Sequence, residues 1–166
     1  MDEGARSEGD RNGGSDEKCA LAKRHGADVC INYCEDRFVE RVREITGGAG
    51  VPVVYDSVGR DTFTGSLDCL RPLGILVSFG NASGPVPPFE LAILAQKGSL
   101  YVTRPTLVTY TARRADLEAA SKELFDIVLS GAVTIMIGQR YTLKDAARAP
   151  RDLEACKTVG SSILIP

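Results

Sequence analysis

The sequence predicts an α/β domain built on a mainly parallel sheet, and three observations support this fold class. Short runs of apolar, β-branched residues alternate with segments in which apolar residues recur every three or four positions. Glycine and proline separate most of these segments. The chain has 166 residues, which is enough for one domain with its own core. Strands that alternate with helices in such a chain favour a parallel sheet.

The first predicted helix covers residues 16–25. Ser15 can cap its beginning, and the acidic residues of its first turn favour the positive end of the helix dipole. Gly26 follows its end, where a left-handed residue commonly terminates a helix. The extended run of residues 28–32 is the strand that follows.

Three more helices and three more strands are predicted after that strand. Two of the helices have their apolar stripes at Phe38, Val42 and Ile45, and at Phe63, Leu67 and Leu70. Residues 51–55 form an apolar strand of the kind that is covered on both faces of a sheet. Residues 75–79 and 99–103 are the other two strands, and residues 89–96 between them are helical in pattern.

The last third of the chain is less regular. A stripe at Leu117, Ala120, Leu124 and Val128 predicts a long amphipathic helix that Gly131 ends. Residues 133–137 and 161–165 are candidate strands. Residues 145–154 have helical composition, but Pro150 lacks the backbone N–H that a helix interior uses. We therefore expect this helix to begin late or to kink.

The composition excludes several classes of partner. A net charge of −2 lacks the basic excess that binds nucleic acid. No apolar run reaches the length of about 20 residues that spans a bilayer, so we expect a cytoplasmic protein without membrane contact. The five cysteines form no C-x-x-C pair and His25 is the single histidine, so we expect free thiols and no metal site.

Small or polar residues follow the predicted strands, and ligands of parallel α/β sheets bind beyond these strand ends. The residues are Tyr33, then Asp56, Ser57, Val58 and Gly59, then Gly80, Asn81, Ala82, Ser83 and Gly84, and finally Arg104, Pro105 and Thr106. Ordinary turns contain the same residue types, so each segment taken singly is more typical of a loop than of a site. Phosphate-loop and nucleophile-elbow motifs are absent from the sequence.

Longer strings carry the interpretation further. The stretches are SDEKCALAKRHGADVCINY, VERVREITGGAGVPVVYDSVGRDTF, GSLDCLRPLGILVSFGNASGPVPPF, LAQKGSLYVTRPTL and GSSILIP. They resemble the bacterial quinone oxidoreductases of the zeta-crystallin-like group, within the zinc-free medium-chain dehydrogenase/reductase family. The resemblance implies a Rossmann-type doubly wound fold that binds NADPH. It also implies hydride transfer, without metal, to a quinone or similar electron-poor acceptor, and a homodimer.

The resemblance also assigns cofactor-binding residues. The 2′-phosphate pocket corresponds to Gly14, Ser15, Lys18 and Tyr33. Ser57 corresponds to the adenosine side, Asn81, Ala82, Ser83 and Gly84 to the far side of the sheet, and Arg104, Pro105 and Thr106 to the nicotinamide end. A solvated surface lysine is the alternative for Lys18. For Asp56 we expect a capping role, and we assign no catalytic residue.

Comparison with that family predicts an incomplete Rossmann-type sheet. The first strands, their glycine-rich turn and the catalytic domain have no counterpart here, so we expect the third family strand to lack its partner. We expect a disordered leader at residues 1–13, a partial NADPH-binding domain at 14–132, and a C-terminal segment of the catalytic side at 133–166.

Three substitutions lie at positions where the family commonly has other residues. Cys156 and Cys34 replace arginines, and Pro150 replaces a histidine. We therefore expect a C-terminal part of an oxidoreductase that is inactive alone. The alternatives are a non-catalytic nucleotide-binding or dimerisation module and a remnant that does not fold by itself.

Overall fold

The computed structural model describes residues 11–13, 16–32, 37–155 and 157–166. The chain divides into two compact units, Met1–Thr106 and Leu107–Pro166. The sequence predicts the boundary between the two parts after residue 132, which is later in the chain than the boundary in the structure. Residues 1–10 of the predicted leader lie outside the described residues.

The first unit contains five strands and four helices in its described residues. In chain order they are β1 (Arg11–Gly13), α1 (Asp16–Arg24), β2 (Cys30–Asn32), α2 (Phe38–Ile45), β3 (Val51–Asp56), α3 (Phe63–Cys69), β4 (Leu70–Ser78), α4 (Ala92–Gln96) and β5 (Tyr101–Thr103). The predicted alternation of strands and helices is therefore confirmed. Strand β4 begins five residues before the predicted strand, since it continues from α3 through the turn at Pro72.

The strands of the first unit form two parallel sheets. One has the order β1–β2 and the other the order β3–β4–β5. Strand β1 falls inside the predicted disordered leader, so the expectation of disorder is wrong at residues Arg11–Gly13. The expectation that the third family strand lacks a partner is also wrong, because β2 pairs with β1 from Arg11↔Cys30 onward. Parallel pairing satisfies backbone groups that a disordered leader would leave to water.

Helix α3 contributes to both apolar clusters of the first unit. Phe63 and Leu67 pack with Leu76 of β4 and with Leu100, just before β5. On the other side, Cys69 packs with Ile31 of β2 and Val42 of α2. Burial raises the pKa of the Cys69 thiol to about 11, so this thiol is inert at neutral pH.

One face of the β3–β4–β5 sheet is exposed where the sequence predicts burial. Side chains alternate across a strand, and Val54 points to the face on which α3 packs. Val53 and Tyr55 point to the opposite face, where Tyr55 is 73% exposed. The prediction that β3 is covered on both faces is therefore wrong for the described residues.

The second unit comprises α5 (Leu107–Tyr110), α6 (Arg114–Leu129), β6 (Ile137–Thr142), a short 3₁₀ turn (Leu143–Asp145), α7 (Arg148–Glu154) and β7 (Ser161–Ile165). The predicted strand at residues 133–137 is wrong except for Ile137. Pairing with β7 decides the position of the strand, and it begins at Ile137↔Ser161. Helix α7 begins late, as predicted, with Pro150 in its first turn, where no N–H is needed. A helix with the length and hydropathy of a bilayer span does not occur in the described part of the chain.

Candidate functional site

The carboxylate of Asp56 organises the turn that follows β3. Its Oδ1 accepts hydrogen bonds from the backbone N–H of Val58 at 2.8 Å and of Gly59 at 3.0 Å. Its Oδ2 accepts from the hydroxyls of Thr62 at 2.8 Å and Ser66 at 2.9 Å. The capping role expected for Asp56 is therefore confirmed.

These contacts decide the ionisation of Asp56. The side chain is buried, with 5% of the residue exposed, and burial by itself raises the pKa of a carboxyl group. Hydrogen bonds from Gly59, Thr62, Ser66 and Val58 outweigh burial and hold the pKa below its ordinary value. Asp56 is therefore a fixed carboxylate at neutral pH, which is unlike a group that carries protons in catalysis.

Two segments after neighbouring strands are joined to each other, and we call them the loop pair: residues 57–60 after β3 and residues 79–84 after β4. The carbonyl of Ser57 accepts from the N–H of Ala82 at 3.1 Å. The carbonyl of Val58 accepts from both the N–H of Ser83 at 2.8 Å and its hydroxyl at 2.9 Å. The N–H of Arg60 donates to the Gly84 carbonyl at 3.1 Å, which completes the join.

Two glycines allow the loop pair to approach this closely. A Cβ atom at Gly80 would lie 2.3 Å from the carbonyl oxygen of Ser57, which is well inside van der Waals contact. At Gly59 it would lie 2.6 Å from the carbonyl oxygen of Gly84. Any larger residue at either position would force the two segments apart.

Arg104 attaches the segment after β5 to the same assembly. Its Nη1 donates to the carbonyl of Ser78 at 3.1 Å, to the Ser78 hydroxyl at 3.2 Å and to the carbonyl of Gly80 at 3.0 Å. The ends of three adjacent parallel strands are thus linked by side-chain and backbone bonds. Pro105 and Thr106 follow Arg104 directly in the chain.

The ends of β1 and β2 form a second group of polar residues. Helix α1 begins three residues after β1, and Lys18 lies in its first turn, half-buried. The side-chain amide of Asn32, at the end of β2, donates to Asp16 Oδ1 at 3.1 Å. An ammonium group in the first turn of a helix suits an anionic ligand, since the helix N-terminus also attracts negative charge.

Gly14, Ser15 and Tyr33 of the predicted 2′-phosphate pocket lie outside the described residues, as do Cys34 and Cys156. Lys18 is the member of that pocket that the structure describes.

The remaining predicted residues fall into the arrangement described above. Contacts within the loop pair join Ser57 to Ala82 and Val58 to Ser83. The N–H of Gly84 donates to the carbonyl of Asn81 at 3.0 Å within the second segment. The sequence analysis places Gly80 among the residues that follow a strand but assigns it no role, and it misses Ser78 as a member of this assembly.

Other concave surfaces offer less to a ligand. One groove in the second unit lies along α6, and its charged residues are already paired as Arg114 with Glu118 and Lys122 with Asp126. Within the described part of the chain, no three His, Cys, Asp or Glu side chains come together as a metal ion requires. The donor set of the described residues therefore does not fit a zinc site.

Comparison with known proteins gives the family. A protein-family model described as zinc-binding dehydrogenase matches residues 25–164. A quinone oxidoreductase of Salmonella typhimurium is 56% identical over 155 residues, which cover 92% of this chain and 47% of that relative. A 2-haloacrylate reductase of a Burkholderia species is 42% identical over 153 residues, covering 92% of this chain and 46% of that enzyme.

A solved structure agrees with these matches. The crystal structure of Escherichia coli quinone oxidoreductase complexed with NADPH is similar with a TM-score of 0.90 and 52% identity. The similarity covers 95% of this chain and 49% of that one. The predicted α/β fold and the resemblance to quinone oxidoreductases are confirmed, and the chain spans about half the length of these relatives.

Proposed function

Because this chain belongs to the zinc-binding dehydrogenase family, we propose that it supplies the nucleotide-binding part of an NADPH-dependent quinone oxidoreductase. The observation that carries the proposal is the linked assembly at the carboxyl ends of β3, β4 and β5. Open α/β sheets bind their ligands at this edge. A rigid, glycine-bearing edge lets a flat cofactor approach the backbone closely.

The proposed roles follow the order of the strands. Lys18 pairs with the 2′-phosphate of NADPH, since an ammonium group is a strong partner for a phosphate. Ser57 contributes to the adenosine side. The segment from Asn81 to Gly84 lies beside the cofactor, and the residues Arg104, Pro105 and Thr106 contact the nicotinamide end.

When bound, NADPH would supply a hydride, which is one proton with two electrons, and would become NADP⁺. A quinone that accepts the hydride and one proton from solvent becomes a hydroquinone, so the atoms and electrons balance. The described residues of this chain hold and orient the cofactor, and we assign them no proton transfer. We derive no step through zinc, because the described donor set does not fit a zinc site.

The acceptor is an electron-poor conjugated carbonyl compound. One relative is a quinone oxidoreductase and another is a 2-haloacrylate reductase. Quinones and haloacrylates share a carbon–carbon double bond made electrophilic by a neighbouring carbonyl group. We propose a quinone because the Salmonella typhimurium quinone oxidoreductase is 56% identical to this chain, whereas the haloacrylate enzyme is 42% identical.

A non-catalytic dimerisation module is the second candidate. Strand β5 pairs with β4 on one side, and among the described strands none pairs with its other side. Tyr101 on this edge strand is exposed. An unpaired strand edge can pair with a second copy, and sedimentation equilibrium would reveal a dimer that forms equally well with and without NADPH.

Calorimetric titration of the folded chain with NADPH and separately with NADH tests the proposed function. We expect saturable binding that favours NADPH, because NADPH carries a 2′-phosphate with which Lys18 can pair, whereas NADH does not. A folded chain that binds neither nucleotide contradicts the proposal and favours the second candidate.

A further inference from the structure

The position of the loop pair depends on one buried side chain that lies behind it. Asp56 is the last residue of β3. The nucleotide is expected to bind at the exposed residues of the turn that follows it. Four donors occupy its two carboxylate oxygens, two of them backbone N–H groups of the turn itself. A carboxylate that accepts this many hydrogen bonds is held in one orientation.

The restraint continues from the turn into the second segment. Asp56 fixes the turn by accepting hydrogen bonds from the backbone N–H groups of Val58 and Gly59. The carbonyls of Ser57 and Val58 are directed at residues 79–84. These two carbonyls accept from the backbone of Ala82 and Ser83. The main-chain carbonyl of Asp56 adds a bond from the N–H of Phe79 at 2.8 Å.

We propose that Asp56 is a positioning residue for the nucleotide site, which fixes the segment from Asn81 to Gly84 through the backbone of residues 57–59. This inference rests on the proposed function for the identity of the ligand. Its mechanical part, which is the fixing of the segment by Asp56, does not depend on the proposed function, since these contacts exist without any nucleotide. Asp56 touches no substrate in this scheme and acts only through the turn.

The two oxygens of the carboxylate separate positioning from stability. Oδ1 binds the turn, whereas Oδ2 binds Thr62 and Ser66, which lie at the start of α3 and within it. Ser66→Ala removes a buried hydrogen bond to Oδ2 and leaves both turn bonds in place. Asp56→Ala removes all four bonds, and Asp56→Asn retains an oxygen that can accept from the turn.

Hydrogen exchange followed by NMR tests the mechanical part in the chain without ligand. We expect Asp56→Ala to speed exchange of the Ala82 and Ser83 amides by about tenfold or more relative to the amides of strand β4, since the carbonyls that hold these amides lose their restraint. Ser66→Ala should lower the unfolding midpoint but leave that ratio unchanged. The proposal is overturned if the exchange of the Ala82 and Ser83 amides relative to the amides of β4 is the same in Asp56→Ala and Ser66→Ala, or is unchanged from the wild type in both.

Titration with NADPH tests the functional part on the same variants. Asp56→Ala should weaken binding by about tenfold, Asp56→Asn should restore most of it, and Ser66→Ala should bind like the wild type. If the wild type itself does not bind NADPH, the proposed function fails, while the exchange ratios still decide whether Asp56 positions the loop pair. If Asp56→Ala does not fold, Asp56→Glu displaces the carboxylate by one methylene and receives the same two measurements.

Discussion

Arg104 Nη1 donates a hydrogen bond to the carbonyl oxygen of Gly80 at 3.0 Å, so a side chain that follows β5 holds the segment that follows β4. The same nitrogen contacts the carbonyl and hydroxyl of Ser78, the last residue of β4. Since Gly80 also lies directly against Ser57, the ends of the three strands are connected to one another.

Arg104→Ala should lower the free energy of unfolding by about 1 kcal/mol, because it leaves the buried Ser78 hydroxyl without its donor. Urea unfolding followed by circular dichroism measures the change. Arg113→Ala is the control, since Arg113 is exposed and pairs only with the nearby Asp116. Equal midpoints for the wild type and Arg104→Ala would show that these bonds contribute nothing to stability.

Lys18→Ala should weaken NADPH binding by about tenfold to a hundredfold and leave NADH binding unchanged, because a hydrogen bond to a charged group contributes about 1.5–3 kcal/mol. Calorimetric titration of both nucleotides measures the discrimination. Lys23→Ala is the matched control, since Lys23 lies in the last turn of the same helix and is exposed. If Lys18→Ala prefers NADPH over NADH as strongly as the wild type does, the assignment of the 2′-phosphate to this residue is wrong.

Asp56 should make stability depend on pH in the acid range. Its native pKa lies below the ordinary value, so its contribution is fully present above the unfolded pKa of about 3.9. That contribution is lost as the pH falls through the lower native pKa. The difference in urea midpoint between the wild type and Asp56→Asn should therefore shrink from pH 7 toward pH 2. The exposed Asp61, changed to Asn, is the control, and a difference that grows toward low pH would contradict the assigned sign.

Leu73→Gly should stabilise the chain by up to about 1 kcal/mol, because Leu73 has a φ of 61° and a left-handed backbone is costly for any residue with a Cβ atom. The side chain is 67% exposed, so little packing is lost. Leu91→Gly is the control, since Leu91 is also exposed but has an ordinary φ of −57°. It should destabilise the chain. A loss of stability in both variants would show that the backbone at Leu73 is not strained.

Arg43→Ala should destabilise the first unit by about 1.5–3 kcal/mol, because its guanidinium serves several backbone carbonyls. It donates to Asp68 at 2.6 and 3.0 Å and to Gly48 at 2.7 Å, which ties α2 to the end of α3. The measurement is urea unfolding. Arg41→Ala on the same helix removes only an exposed pair with Glu44 and should leave the midpoint nearly unchanged.

Local patterns were sufficient to predict the positions of some elements. Helix α2 begins at Phe38 and ends at Ile45, the first and last residues of its predicted stripe. Strand β7 covers the predicted residues 161–165. Residues 133–137 are just as apolar, yet the strand forms later, because pairing with β7 rather than composition selects the segment.

The candidate site could be predicted only in outline. Strand ends are visible in a sequence, and parallel pairing places them at one edge of the sheet. The bonds from Ser57 to Ala82 and from Arg104 to Gly80 depend on the register between strands, which no local pattern specifies. The left-handed backbone of Leu73 is equally invisible, since leucine rarely adopts it.

Mapping amide chemical shifts during an NADPH titration tests the central claim most directly. We predict saturable shifts at Lys18, Ser57, Ala82 and Ser83, with the amides of α6 unchanged as an internal reference. Shifts confined to the second unit, or none at nucleotide concentrations that saturate the related enzymes, would contradict the assignment of the nucleotide site to these strand ends.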